Sequence, residues 1–204
     1  MEWSEIKPLP ESKALLLVRE YFSSHFLRCE YIDPRHLSGG IKSPDYKIFQ
    51  AEEHLAYCEV KTPENQVNQQ AGMYFWDTGF NKLRKFIHKA VKQFHDEDSN
   101  HSKPWIVVFT SNHPQLNYSS LLHCIRGSVV LGGTLIKDFR NKRFIKSSNK
   151  DLKSVDLFIW MQISYVSPKI YQVKFFLNDN SPFLFEVKRI SEFLMPTIDD
   201  KIYS

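Results

Sequence analysis

The chain has 204 residues, 42% apolar and 14% aromatic, with a formal net charge of +4. Such a composition folds around a real core and is not that of a disordered segment. The mild basic excess suits a nucleic-acid partner without requiring one. No apolar run reaches the ~20 residues of a membrane span. The start MEWSEIKPLPESK lacks the cationic and apolar pattern of a secretory leader. Three widely spaced cysteines, Cys29, Cys58 and Cys124, give neither a zinc spacing nor a disulfide framework. The expected setting is a reducing cytoplasm, with no membrane partner.

In chain order, Ser12 to Leu27 reads as a buried helix, ALLLVREYF being apolar almost all round, with Ser12 as its cap. RCEYID is a short strand ended by Pro34. DYKIF and HLAYCEVK form an expected antiparallel pair, stopped by Pro63. Phe80 to Phe94 is the clearest helix: Phe80, Leu83, Ile87, Ala90, Val91 and Phe94 recur at helical spacing. KPWIVVFTS is a buried strand, QLNYSSLLHCIRG a helix closed by Gly127, and SVVLGG a further strand. A basic run follows, Lys137 to Lys153. The last third, VDLFIWMQISYV, KIYQVKFFL and FLFEVKRI, reads as a β-meander. The expected class is α/β, with a core over 1–136 and a basic segment plus β-rich extension over 137–204, packed on the same domain.

Acid-x-Lys triplets are frequent. Four start at Glu5, Glu11, Glu59 and Glu186, and three at Asp45, Asp151 and Asp199. A surface charge pair is therefore the starting reading of each one. Context sets Glu59-Val60-Lys61 apart. It ends the apolar run from Leu55 to Cys58, and strand side chains alternate, so Glu59 and Lys61 share one side while Cys58 and Val60 share the other. Pro44-Asp45 stands on the preceding short strand. Glu186 also ends an apolar run, but no Pro-Asp precedes it; Glu5 and Glu11 sit among prolines near the start. Hydrolysis of a phosphodiester calls for hard oxygen ligands to a divalent cation and for positive charge at the phosphate. Two acids and a lysine at one sheet edge can supply both.

Pro44-Asp45, thirteen intervening residues and then Glu59-Val60-Lys61, followed by a helix over 80–94 and the strand KPWIVVF, resembles the PD-(D/E)XK nuclease superfamily. The resemblance covers residues 12–112. It implies a restriction-endonuclease-like mixed sheet flanked by helices, and a Mg²⁺-dependent nuclease, with Mn²⁺ as a substitute, acting as a DNA endonuclease. Carried over to this chain, it implies Asp45, Glu59 and the Val60 carbonyl as metal ligands and Lys61 as the residue that orients the attacking water and stabilises charge. It also implies an acid in the first helix, for which Glu20 is the candidate. At 100° per residue, Glu20 shares a largely apolar stripe with Lys13, Leu16, Leu17, Ser24 and Leu27, where an acid is costly unless paired or metal-bound. A salt bridge would satisfy it equally well. For Lys61, a position beside two carboxylates favours an electrostatic role over that of a general base.

Two alternatives stay open at this point. Asp45-Tyr46-Lys47 could be the working triplet, with Asp33 upstream and Gln70 and Tyr74 as a Gln-Tyr helix motif; the turn-like SGGIKSP before it opposes this. The chain could also be a non-catalytic nucleic-acid- or protein-binding module on the same fold. Lys82, Phe86, Lys89 and Gln93 border the apolar stripe of the 80–94 helix. Lys82 and Lys89 are candidate phosphate contacts and Gln93 a candidate support for Lys61. Cutting both strands of a duplex would call for a homodimer or larger assembly.

Overall fold

The computed structural model describes residues 9–33, 42–63, 76–113, 116–131, 134–138 and 150–195. Helix α1 (Glu11–Ser24) leads into a meander of β1 (Arg28–Tyr31), β2 (Tyr46–Gln50) and β3 (Glu53–Lys61). Then come α2 (Trp76–Glu97), β4 (Trp105–Ser111), α3 (Tyr118–Arg126), a hairpin of β5 (Ser128–Leu131) and β6 (Thr134–Asp138), and a short helix, α4, at 150–154. The chain closes with β7 (Leu157–Ile163), β8 (Ile170–Leu177) and α5 (Leu184–Leu194).

Six strands form one mixed sheet in the order β1-β2-β3-β4-β7-β8, and β5 and β6 pair apart from it. β1, β2 and β3 run antiparallel to one another in turn, β3, β4 and β7 are parallel, and β8 returns antiparallel. Both parallel steps advance in the same direction, so crossovers of one hand put their helices on one face. That face carries Leu83, Ile87 and Phe94 of α2 and Leu121 and Cys124 of α3 against Tyr57, Trp105, Val107 and Trp160. The opposite face holds Ala14, Val18 and Phe22 of α1 and Val187, Ile190 and Leu194 of α5 against Ile48, Cys58, Val108 and Ile159. The result is a helix–sheet–helix sandwich. β4 and β7 are buried along their whole lengths, as parallel strands covered on both faces must be, which explains the unbroken apolar runs WIVVF and LFIWM.

Three sequence expectations are corrected. FLFEVKRI is not a strand but the start of α5. Its apolar residues match alternation in part, yet Val187, Ile190, Ser191 and Leu194 are the buried set, at i, i+3, i+4 and i+7, and Phe185 is 77% exposed. Consequently the last third is no β-meander extension: β7 hydrogen-bonds to β4 inside the sheet, and α5 covers the α1 face. Ser12 does not cap α1, because Pro10 occupies that position without a side-chain cap and Ser12 lies within the first turn. Most of the basic run falls outside the described residues. No helix among the described residues is long and apolar enough to cross a membrane.

The end of the sheet away from β3's terminus is tied by one buried carboxylate. Asp156, fully buried before β7, accepts from the Trp105 amide (2.7 Å), Ser181 Oγ (2.5 Å) and His101 Nε2 (2.7 Å), joining β4, β7 and the turn before α5. Asp156→Ala strands these groups without an acceptor. It should cost about 2–3 kcal/mol, read as a fall in Tm of roughly 5–10 °C for a domain of this size.

Candidate active site

β3 ends, β2 begins and β1 ends at the same edge of the sheet, since Tyr31 pairs with Tyr46 and Tyr46 with Cys58. One step beyond that register, Asp45 stands across from Glu59, and cross-strand partners share a face. Their contacts are reciprocal: the Asp45 amide donates to Glu59 Oε2 (3.0 Å), and the Val60 amide donates to Asp45 Oδ2 (2.7 Å). Lys61 Nζ hydrogen-bonds to Glu59 Oε1 and, at 2.9 Å, to Gln93 Oε1. Gln93 Nε2 in turn donates to the Ser43 carbonyl (2.9 Å). Gln93 comes from α2, whose buried stripe places it at the margin above the end of β3. Its amide holds the ammonium on one side and the chain entering β2 on the other, so its orientation is determined at both ends.

These groups form the floor of an open cleft of about 730 Å³. Glu59 is 2% exposed. Burial, and next the neighbouring Asp45 carboxylate, push its pKa from the ordinary 4.5 up to about 8, against the opposing pull of Lys61. Asp45 is also raised, by burial first, while the Val60 amide and Lys61 act to lower it. Two acids that resist ionising side by side make a place where positive charge is favoured.

Of the sequence candidates, the structure brings together Asp45, Glu59, Val60, Lys61 and Gln93, with Lys89 on the cleft wall. Lys82 is not among the described residues lining it; it lies eleven residues before Gln93, ~16 Å along the helix axis. Glu20 is displaced from the site. The buried stripe of α1 is Ala14, Val18 and Phe22, and Glu20, two residues from either of the last two, faces solvent. The α1 acid that lines the cleft is Glu11, which continues the stripe one step back at i−3 from Ala14 and acts electrostatically on Asp45. Its place among prolines hid it, although the same periodicity could have found it. Lys42 and Lys92 also line the cleft and were not singled out in the sequence.

In the rival triplet, Lys47 pairs with Glu97 (3.2 Å) and lies over the Tyr57 ring, two residues inward from the cleft, and does not line it. Gln70 and Tyr74 lie outside the described residues. Comparison with protein-family models, curated proteins and solved structures finds no match to this chain.

Proposed function

We propose that the chain is a divalent-metal-dependent nuclease of the PD-(D/E)XK type, hydrolysing phosphodiester bonds in DNA. The observation that carries this reading is the pairing of the Asp45 and Glu59 carboxylates on one face at the floor of an open cleft, with the Lys61 ammonium on one of them. The mixed sheet flanked by helices, with α2 and β4 following Glu59-Val60-Lys61, supports it, because a helix and a strand after the motif are what the resemblance implies.

The residues present fit a Mg²⁺ ion. Asp45 and Glu59 would hold it, with the Val60 carbonyl as a third oxygen. Among the described residues no group of three His, Cys, Asp or Glu side chains is placed to hold a metal; a Mg²⁺ ion that keeps several waters and takes one or two carboxylates needs no such group. The cation, when bound, polarises a phosphate oxygen and lowers the pKa of a coordinated water. Among the described residues, Lys42, Lys61, Lys89 and Lys92 and the acids Glu11, Asp45, Glu59 and Asp96 line the cleft, and a bound cation would add positive charge towards a phosphate backbone.

The chain's own groups then have defined tasks. Lys61, held by Gln93, offers a preorganised positive charge where negative charge grows on the phosphate. Lys89 and Lys92 on α2 offer phosphate contacts along the wall.

The test is incubation of pure protein with plasmid and single-stranded DNA in Mg²⁺, in Mn²⁺ and in chelator. Cleavage should require the metal and be lost in Asp45→Asn. Activity that survives Asp45→Asn would place the chemistry elsewhere, and DNA binding without cleavage in either metal would make the chain a binding module.

A further inference from the structure

The cleft is lined from both faces of the sheet. On the α2 face, α2 supplies Phe86, Lys89 and Lys92. Elsewhere on the cleft stands Tyr31, the last residue of β1, which pairs with Tyr46 and so lies on the α1 face of the sheet. Its ring meets that of Tyr46 edge to face, with centroids 6.1 Å apart, and Tyr46 is itself anchored through its hydroxyl to the Leu15 carbonyl (3.1 Å). Yet Tyr31 remains 61% exposed and lines the cleft. An aromatic ring braced from behind and open in front is a rigid surface of low entropic cost. Asp45, Glu59 and Lys61 belong to the α2 face and Tyr31 to the α1 face, and the cleft at the end of these strands is lined by both.

Paired and stacked duplex presents its bases to each other and leaves Tyr31 nothing to stack on, whereas an unpaired base offers the ring a face. A basic wall combined with an exposed aromatic is the pairing that recognises unpaired strands, the cations following the backbone and the ring taking a base face.

Building on the nuclease reading, we propose that the substrate is a single-stranded polynucleotide, or a single-stranded segment of a larger structure, threaded across the sheet edge with one base stacked on Tyr31. Under this arrangement Tyr31 is a binding residue that sets substrate class and does no chemistry.

The experiment measures binding of the Asp45→Asn protein in Mg²⁺ to fluorescent oligo(dT), oligo(rU) and a DNA hairpin duplex of equal length, by anisotropy. The expected result is binding of single strands about tenfold or more tighter than duplex, the worth of one to two stacked bases. Tyr31→Ala should weaken single-strand binding roughly 5- to 150-fold and leave duplex binding alone, while Tyr31→Phe, which keeps the ring, restores it. The deoxy and ribo arms separate DNA from RNA as the source of the strand. Equal or tighter duplex binding overturns the proposal, as does Tyr31→Ala that binds single strands like its parent while circular dichroism shows it folded. Loss of the nuclease reading would look different: no cleavage of any substrate by the wild-type protein, with Tyr31-dependent strand binding intact.

Discussion

Replacing Lys61 with alanine is expected to lower the single-turnover rate of DNA cleavage by about 10²- to 10³-fold, the cost of removing one preorganised charge from a developing oxyanion. DNA binding should change far less, because Lys42, Lys89 and Lys92 remain on the cleft. The loss should appear in the chemical step, since an interaction made chiefly in the transition state lowers kcat with little change in KM. Arginine is not a rescue: its planar fork cannot occupy the site of a compact ammonium that bonds both Glu59 and Gln93. Comparable rates for Lys61→Ala and wild type, measured on DNA in Mg²⁺, would remove Lys61 from the mechanism.

Lys61 was legible before any coordinates because a strand offers only two faces. Once Leu55 to Cys58 is a buried strand, Glu59 and Lys61 must share a side, and a preceding antiparallel strand must bring Asp45 near them. Helices are less determinate. α1 carries Leu15, Leu16 and Leu17 in succession, so its apolar residues do not fix its phase, and Glu20 could be rotated onto the core on paper. Contact with Ile48, Cys58 and Val108 selects the Ala14, Val18 and Phe22 stripe, which leaves Leu16 exposed and brings Glu11 to the cleft. The same ambiguity misassigned α5. FLFEVK alternates well enough for a strand, and only the position of the residues beyond it, Ser191 and Leu194, on a shared face with Val187 reveals a helical period. Tyr31 could not be valued from sequence at all. Its significance lies in being exposed at the same sheet edge as Glu59, a consequence of β1 pairing with β2 in one register.

Glu59→Gln is expected to separate proton, metal and stability effects in one variant. With its pKa raised from 4.5 to about 8, the folded protein keeps a proton on Glu59 that the unfolded chain has already released. The native state therefore binds more protons, so stability in the absence of metal falls as pH rises from about 4.5 to about 8, and levels off above. Asp45, raised as well, adds in the same direction. Glutamine stays neutral and can still accept from the Asp45 amide, so the variant should match wild type near pH 4.5. In chelator at pH 8 it should exceed wild type by a margin on the order of a few kcal/mol, the Lys61 attraction being already contained in the raised pKa. On the nuclease reading, a bound Mg²⁺ ion would relieve the paired carboxylates of wild type as the proton does at low pH. Saturating Mg²⁺ at about 100-fold over Kd should stabilise wild type at pH 8 by about 2.7 kcal/mol, a rise in Tm of roughly 5–10 °C. The rise should shrink towards pH 5, where protons compete for the same oxygens, and should be largely lost in Glu59→Gln, which also loses cleavage. Thermal melts across pH 5–8.5, with and without Mg²⁺, decide the matter. An equal Mg²⁺ shift in both proteins would show that the ion binds somewhere other than between Asp45 and Glu59, and a wild-type protein indifferent to both pH and Mg²⁺ would leave the paired carboxylates as structure alone.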